Sequence, residues 1–204
     1  MRQWITKIDG MGCDIHMLAE IREDGKTWKL IEECPCVSCD GTGKRTQGPP
    51  GDQKLVDCHW CDGIGVRKVK RAKSNEDYNE HPHPYTGQNY RLFSILAGVR
   101  RYDDDVEPVY PPRGIPEDAC RYIKEAWKEE EGDGHTPSYL NVHEIEQAFV
   151  VRHGLLVEEH VQEEAKKDRE WCKDFLDGTL KKLLLPIAEQ IGKENVRIVF
   201  WFDN

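Results

Sequence analysis

No run of about 18 apolar residues occurs in the 204-residue chain, so no segment has the length and character of a membrane-spanning helix. The first nine residues carry Arg2, Lys7 and Asp9 and no apolar stretch, which predicts no secretory signal. A glycine-rich phosphate loop and a Gly-x-Ser-x-Gly elbow are both missing, and His143-Glu144-Ile145-Glu146 is not a His-Glu-x-x-His helix. The sequence therefore indicates neither a P-loop nucleotide enzyme, nor an α/β-hydrolase, nor a metalloprotease of that type. Cations are in the minority, 29 Lys and Arg against 38 Asp and Glu, for a net charge of -9. That balance argues against a general nucleic-acid coat, which needs clustered positive charge. Aromatic bulk is present, with six Trp, seven Tyr and five Phe, enough to build a core and exclude wholesale disorder.

The acidity is uneven. Between Cys34 and Lys73 there are eight basic and four acidic side chains, a local net of +4 that leaves -13 on the rest. Such asymmetry marks a module with its own partner, although a basic run can also simply solubilise a hairpin. The expected organisation is one domain of ordinary size with an insertion: residues 1–33 supply N-terminal strands, 34–73 form the insertion, and 74–204 complete the domain.

The insertion contains Cys36-Val37-Ser38-Cys39 and Cys58-His59-Trp60-Cys61, a C-x2-C-x18-C-x2-C spacing that reads as a zinc site. Two thiolates separated by two residues reach adjacent corners of a tetrahedron, and two such knuckles close it. Four thiolates leave no open position, so one structural zinc on Cys36, Cys39, Cys58 and Cys61 is expected rather than a catalytic one. Cys34 and His59 compete as ligands. A disulfide framework is the other reading, but the spacing and the scattered Cys13, Cys120 and Cys172 favour reduced thiols, these three as small buried hydrophobes. The apolar bulk of the segment is Leu55, Val56, Trp60, Ile64, Val66 and Val69; metal binding would supply folding free energy that so small a set does not.

Each knuckle continues into Gly-x-Gly, as Gly41-Thr42-Gly43 and Gly63-Ile64-Gly65. The doubled C-x2-C-x-G-x-G resembles the cysteine-rich zinc region of DnaJ chaperones. That family has four repeats and two zincs, so two repeats imply one zinc. The resemblance spans roughly Cys36 to Val66. No His-Pro-Asp triplet accompanies it, only His81-Pro82-His83-Pro84, and chaperone function is not carried over.

Around the insertion, Gly12 to Arg22 alternates. Cys13, Ile15, Met17, Ala19 and Ile21 point one way, and Asp14, His16, Leu18, Glu20 and Arg22 the other, which predicts a half-buried strand. Asp24-Gly25 predicts a hairpin turn with a return strand over Lys26 to Glu33. Helices are expected over Tyr90 to Arg100, capped by Asn89, and over Glu117 to Glu130 behind Pro116. Further helices are expected over about Val142 to Val150, Glu158 to Phe175, and Thr179 to Ile191, the last kinked or started at Pro186. Residues 72–88 and 103–114, and the Gly132 to Pro137 stretch, read as loops. Asn195 to Phe202 is a strong strand, expected beside Cys13 to Ile21. The fold class is thus α+β: a small, mainly antiparallel sheet, packed helices and an inserted zinc-binding β-hairpin module.

Asp14 and His16 share one strand face. If the two end strands are neighbours, Asp203 joins them, and His135 follows Gly132-Asp133-Gly134 in an expected loop. Asp14, His16, His135 and Asp203 are the candidate catalytic or second-metal residues, since Asp and His together hold divalent ions. The competing reading is a solvent-facing polar strand face, or an Asp14–His16 hydrogen bond. Arg100, Arg113 and His135 are candidate anion-binding residues. A helix C-terminus explains Arg100 by itself.

Met11-Gly12-Cys13-Asp14-Ile15-His16 carries a second resemblance, together with Asn89-Tyr90-Arg91-Leu92-Phe93, Leu96-Ala97-Gly98-Val99-Arg100, Pro112-Arg113-Gly114-Ile115-Pro116 and Asp133-Gly134-His135 with Ser138-Tyr139-Leu140. These segments look like a family of small uncharacterised bacteriophage proteins. The resemblance implies a host-cytoplasmic location and makes residues 1–10 an extension; it supplies no activity. The expected function is binding of an anionic, nucleotide-like small molecule or a host protein through an Asp/His/Arg pocket. A metal-dependent phosphodiester hydrolase is the alternative. Nucleic-acid binding through Lys68, Lys70, Arg71 and Lys73 is weaker, because aromatics are not interleaved there.

Overall fold

In a computed structural model, residues 12–36, 38–39, 41–68, 84–85, 87–100, 108–130, 132–154 and 166–203 are described. The strands are β1 (Asp14–Ile21), β2 (Lys29–Leu30), β3 (Glu33–Pro35), β4 (Lys44–Gln47), β5 (Lys54–Asp57), β6 (Val66–Lys68), β7 (His135–Asn141) and β8 (Val196–Asp203). The α-helices are α1 (Tyr90–Ala97), α2 (Arg121–Glu129), α3 (Val142–Gly154) and α4 (Leu185–Ile191), and a π-helical stretch, Asp174–Leu184, runs into α4. The architecture is α+β.

The first and last described strands meet, as expected. β1 and β8 pair antiparallel over their full length, from Asp14 opposite Asp203 to Ile21 opposite Val196. They are the central strands of a sheet ordered β2-β1-β8-β7. One face carries Ile15, Met17, Ala19, Ile198, Phe200 and Phe202 into the main core, against Leu92 and Leu96 of α1, Ile145 of α3, Phe175 and Leu184. Each of the larger of these side chains stabilises the fold by about 1.5–3 kcal/mol on burial.

The opposite face of β1 is not half-exposed. Leu18, Val199 and Trp201 pack under Ala119 and Ile123, and Glu20 and His16 are buried beside them. Burial of Glu20 is tolerated because Arg197, its neighbour across the β1–β8 ladder, meets its carboxylate at 2.5 Å. Asp118 holds the same guanidinium at 2.9 Å and accepts the Trp28 indole N–H at 2.9 Å. The Cys120 backbone N–H donates to the other oxygen of Glu20. A buried ion pair survives when its remaining hydrogen-bonding capacity is filled in this way.

Several boundaries differ from the sequence expectation. The return strand is split. β2 pairs with β1 for two residues, and the chain then leaves the sheet so that β3 pairs with β6, Glu33 opposite Lys68. This second ladder forms the base of the insertion, and the β4–β5 hairpin lies beyond it. Helix α2 begins at Arg121 rather than Glu117, with Pro116 and Ala119 in a preceding turn. The stretch around His135 is a strand, not a loop. β7 is an edge strand, which tolerates Pro137, and a bulge between His135 and Ser138 disguises its alternation. Helical structure runs from residue 166 through Gly178 and Pro186 to Ile191 almost without interruption. The π-type bond from Leu185 N–H to Leu180 O gives way to α-helix next to Pro186, where proline has no N–H to offer. Helix α1 starts on its predicted cap, Asn89, whose Oδ1 accepts from Leu92 N at 3.0 Å. It stops three residues early at Gly98, which takes the left-handed conformation that glycine adopts without strain. The expected helix start at Glu158 lies outside the described residues.

Candidate metal centre

The insertion brings together the four cysteines that the spacing selects. The sulfurs of Cys36, Cys39, Cys58 and Cys61 all lie within 4.8 Å of one another, and all four residues are buried. Cys36 and Cys58 sulfurs are 3.9 Å apart, Cys39 and Cys61 sulfurs 3.7 Å. They form a cluster of their own, separate from both apolar cores.

The backbone explains the convergence. The two knuckles repeat one set of hydrogen bonds: Gly41 N–H to Cys36 O and Thr42 N–H to Cys39 O in the first, Gly63 N–H to Cys58 O and Ile64 N–H to Cys61 O in the second. They are then tied crosswise, Cys36 N–H to Gly65 O and Cys58 N–H to Gly43 O, both 2.8 Å. The glycines make this approach sterically open. A Cβ on Gly43 would stand 2.1 Å from Gly63 O, and one on Gly65 2.3 Å from Gly41 O. Gly65 N–H also donates to Cys61 Sγ at 3.2 Å, an orienting bond of the kind that surrounds metal ligands.

Burial pushes the Cys36 thiol up to about 12, with the neighbouring thiols adding to the shift. At Cys39 burial also opposes ionisation, but the Gly43 N–H and the other three cysteines outweigh it and bring that thiol down to about 7. Thiols packed this closely ionise one at the expense of another, and a divalent cation removes the conflict. The donor set and its closed geometry suit a tetrahedral metal ion. The two competing ligands fall away. Cys34 belongs to the main core, where burial raises its thiol to about 11, and His59 is exposed and packs against Trp60.

A second group lies on the α2-covered face of the sheet. His16 and Asp203 converge as expected, with His16 Nε2 3.0 Å from Asp203 Oδ2. The His16 ring lies parallel to that of Trp201 at 5.6 Å. Asp14 contributes its backbone N–H to Asp203 Oδ1 at 3.2 Å, while its side chain is exposed. His135 stands elsewhere. Its register partner is Phe202, which faces the main core, and the two rings stack at 5.9 Å. The four-residue set Asp14, His16, His135 and Asp203 is therefore not assembled. Glu130, at the C-terminal cap of α2, stands in the group instead: one donor atom each from His16, Glu130 and Asp203 lies within 4.8 Å of the others. Burial pushes the Glu130 carboxyl up; His16 opposes that shift and Asp203 adds to it. No spacing rule reaches Glu130, because its position depends on α2 crossing the sheet.

The chain matches no family model, no curated protein and no solved structure.

The arginines are engaged by the protein itself. Arg113 grips Glu144 with both terminal nitrogens at 2.8 Å, donates to the Tyr139 carbonyl, and lies over the Tyr139 ring at 4.1 Å. Glu144 is at the same time the reciprocal partner in the capping of α3: Glu144 N–H to Asn141 Oδ1 at 2.8 Å, Asn141 N–H to Glu144 Oε2 at 3.0 Å. Arg100 takes a left-handed backbone conformation with φ 53° and reaches the Gly12 carbonyl at 3.4 Å. Arg113 and Arg100 thus contact the protein's own carboxylate, carbonyls and rings, and His135 stacks on Phe202. Lys68 lies at the base of the insertion, and Lys70, Arg71 and Lys73 fall outside the described residues. No helix among the described residues is long and apolar enough to cross a membrane.

Proposed function

We propose that this chain is a zinc-containing binding protein whose partner contact is the inserted module. The convergence of four buried cysteine sulfurs within 4.8 Å carries the reading. One zinc there takes the place of a hydrophobic core, and the module's larger apolar side chains turn outward: Leu55, Trp60 and Ile64 are 71%, 54% and 72% exposed. Apolar anchors in a basic setting, with Arg45 and Lys54 exposed beside Leu55, suit a protein surface that combines acidic and apolar groups. Of the two partners expected from the sequence, a host protein fits such a surface better than a small anion does.

The reading retains binding as the function but moves its seat. Around His16 the two carboxylates of Glu130 and Asp203 oppose an anionic ligand, and Arg113 already holds Glu144. The binding reading therefore rests on the inserted module rather than on that face.

The test has two parts. Metal analysis of the reduced chain is expected to find one zinc, lost in Cys36→Ser with Cys58→Ser. Anisotropy titration of a labelled peptide of alternating Glu and Leu is expected to show salt-sensitive binding that Trp60→Ala with Ile64→Ala removes. Binding that ignores both salt and this double substitution contradicts the reading.

A further inference from the structure

One imidazole nitrogen of His16 and one carboxylate oxygen each of Asp203, at the end of β8, and Glu130, at the cap of α2, lie within 4.8 Å of one another. We infer that these three residues form a second, open site for a divalent first-row metal ion, chemically distinct from the four-cysteine centre. The inference does not rest on the zinc reading.

The donor set supports it first. One imidazole nitrogen and two carboxylate oxygens are the mixed ligands that Mn²⁺, Fe²⁺ and Co²⁺ accept. A neutral His16 leaves two negative charges together in a half-buried place, and a protonated one compensates only one of them. A divalent cation balances both.

The supporting bonds come next. Metal ligands are ordinarily oriented by a surrounding shell. Asp203 is turned by the Asp14 backbone N–H on its second oxygen, which leaves Oδ2 toward His16. His16 is 4% exposed, and its ring plane lies within 4° of Trp201. The Glu130 backbone is fixed by its carbonyl, which accepts from Asp133 N–H and Gly134 N–H at 3.2 and 2.8 Å. Gly134 is required there, because a Cβ would meet Trp127 at 2.7 Å and Glu130 O at 3.0 Å.

A buried, unsatisfied donor lies in the same ring stack. The indole N–H of Trp201, in the ring stacked on His16, is buried with no hydrogen-bond partner among the described residues. A buried donor that protein leaves unsatisfied is usually met by water or a bound group. Three protein donors leave further coordination positions, and Asp203 keeps 28% of its side chain exposed, so the site opens to solvent. Water on the ion can occupy those positions.

Manganese is the probe, because a hard ion does not displace zinc from thiolates. The full-length, zinc-loaded chain is titrated with Mn²⁺, and free ion is followed by electron paramagnetic resonance. One Mn²⁺ per chain is expected, with the zinc retained. Glu130→Gln, at a half-exposed helix end, is expected to weaken Mn²⁺ binding by about tenfold or more while leaving the zinc content and circular dichroism spectrum unchanged. His16→Asn is expected to do the same. No stoichiometric Mn²⁺ on the wild-type chain, or equal affinity in Glu130→Gln, overturns the inference. Loss of zinc in Cys36→Ser with Mn²⁺ binding intact supports it and separates the two sites.

Discussion

Gly43 stands against the carbonyl of Gly63 so closely that a Cβ would come within 2.1 Å of the oxygen. Gly65 repeats the approach against Gly41, at 2.3 Å. The cysteine spacing alone therefore does not make the site; the two knuckles must also be able to lie back to back. Gly43→Ala and Gly65→Ala are each expected to lower zinc retention under mild chelation by tenfold or more, on the order of 1.4 kcal/mol or above. Gly178, inside the helical run with nothing within 4 Å, is the control. Gly178→Ala is expected to leave zinc unaffected and raise stability by about 0.5–1 kcal/mol, the usual gain in a helix interior. Competition with a chromogenic chelator and a urea melt measure the two effects.

Arg197 is the second point of strain if altered. Its side chain is 6% exposed, its guanidinium bridges the fully buried Glu20 to Asp118, and it lies over the Trp28 ring at 3.8 Å. Arg197→Met strands Glu20 without a counter-charge and is expected to destabilise the chain by about 3–5 kcal/mol. The double variant Arg197→Met with Glu20→Leu is expected to recover much of that loss, because an apolar pair of similar volume replaces the ion pair. Urea denaturation of the three proteins is the measurement.

Glu144 gives a pH prediction. Burial raises its carboxyl, but the Arg113 pair and the Asn141 N–H outweigh burial and hold it below the usual 4.5. A carboxylate depressed in the folded state stabilises the fold above its unfolded pKa. That stability is lost as pH falls through the folded value. The wild-type chain is therefore expected to lose stability below pH 4.5 partly through this group. Glu144→Gln is expected to flatten that part of the curve and to cost about 1–2 kcal/mol at neutral pH. Melting temperature against pH for both proteins checks it.

The cysteine centre and the two end strands were legible as separate elements. Four Cys at knuckle spacing, two glycine repeats, the alternation of β1 and the apolar run of β8 are local patterns. That β1 and β8 lie side by side is a long-range fact that no local pattern dictates. The polar face of β1 was not legible. His16 and Glu20 look solvent-facing until Arg197 and α2 are placed over them, and those partners lie up to 177 residues away. β7 was hidden by Pro137, by the bulge after His135 and by the left-handed Thr136, φ 51°. Glu130 entered the His16 group for the same long-range reason: nothing near it in sequence marks it. Leu55, Trp60 and Ile64 read as core material for the insertion, yet they point outward and the four cysteines take the buried centre of the module instead.

The most direct test of the central claim is elemental analysis of the purified, reduced chain beside Cys36→Ser, Cys61→Ser and Cys34→Ala. The account predicts one zinc per wild-type chain, none in the first two variants and an unchanged content in Cys34→Ala, whose thiol lies in the main core. A wild-type chain without zinc, or a zinc that survives Cys36→Ser and Cys61→Ser, contradicts it.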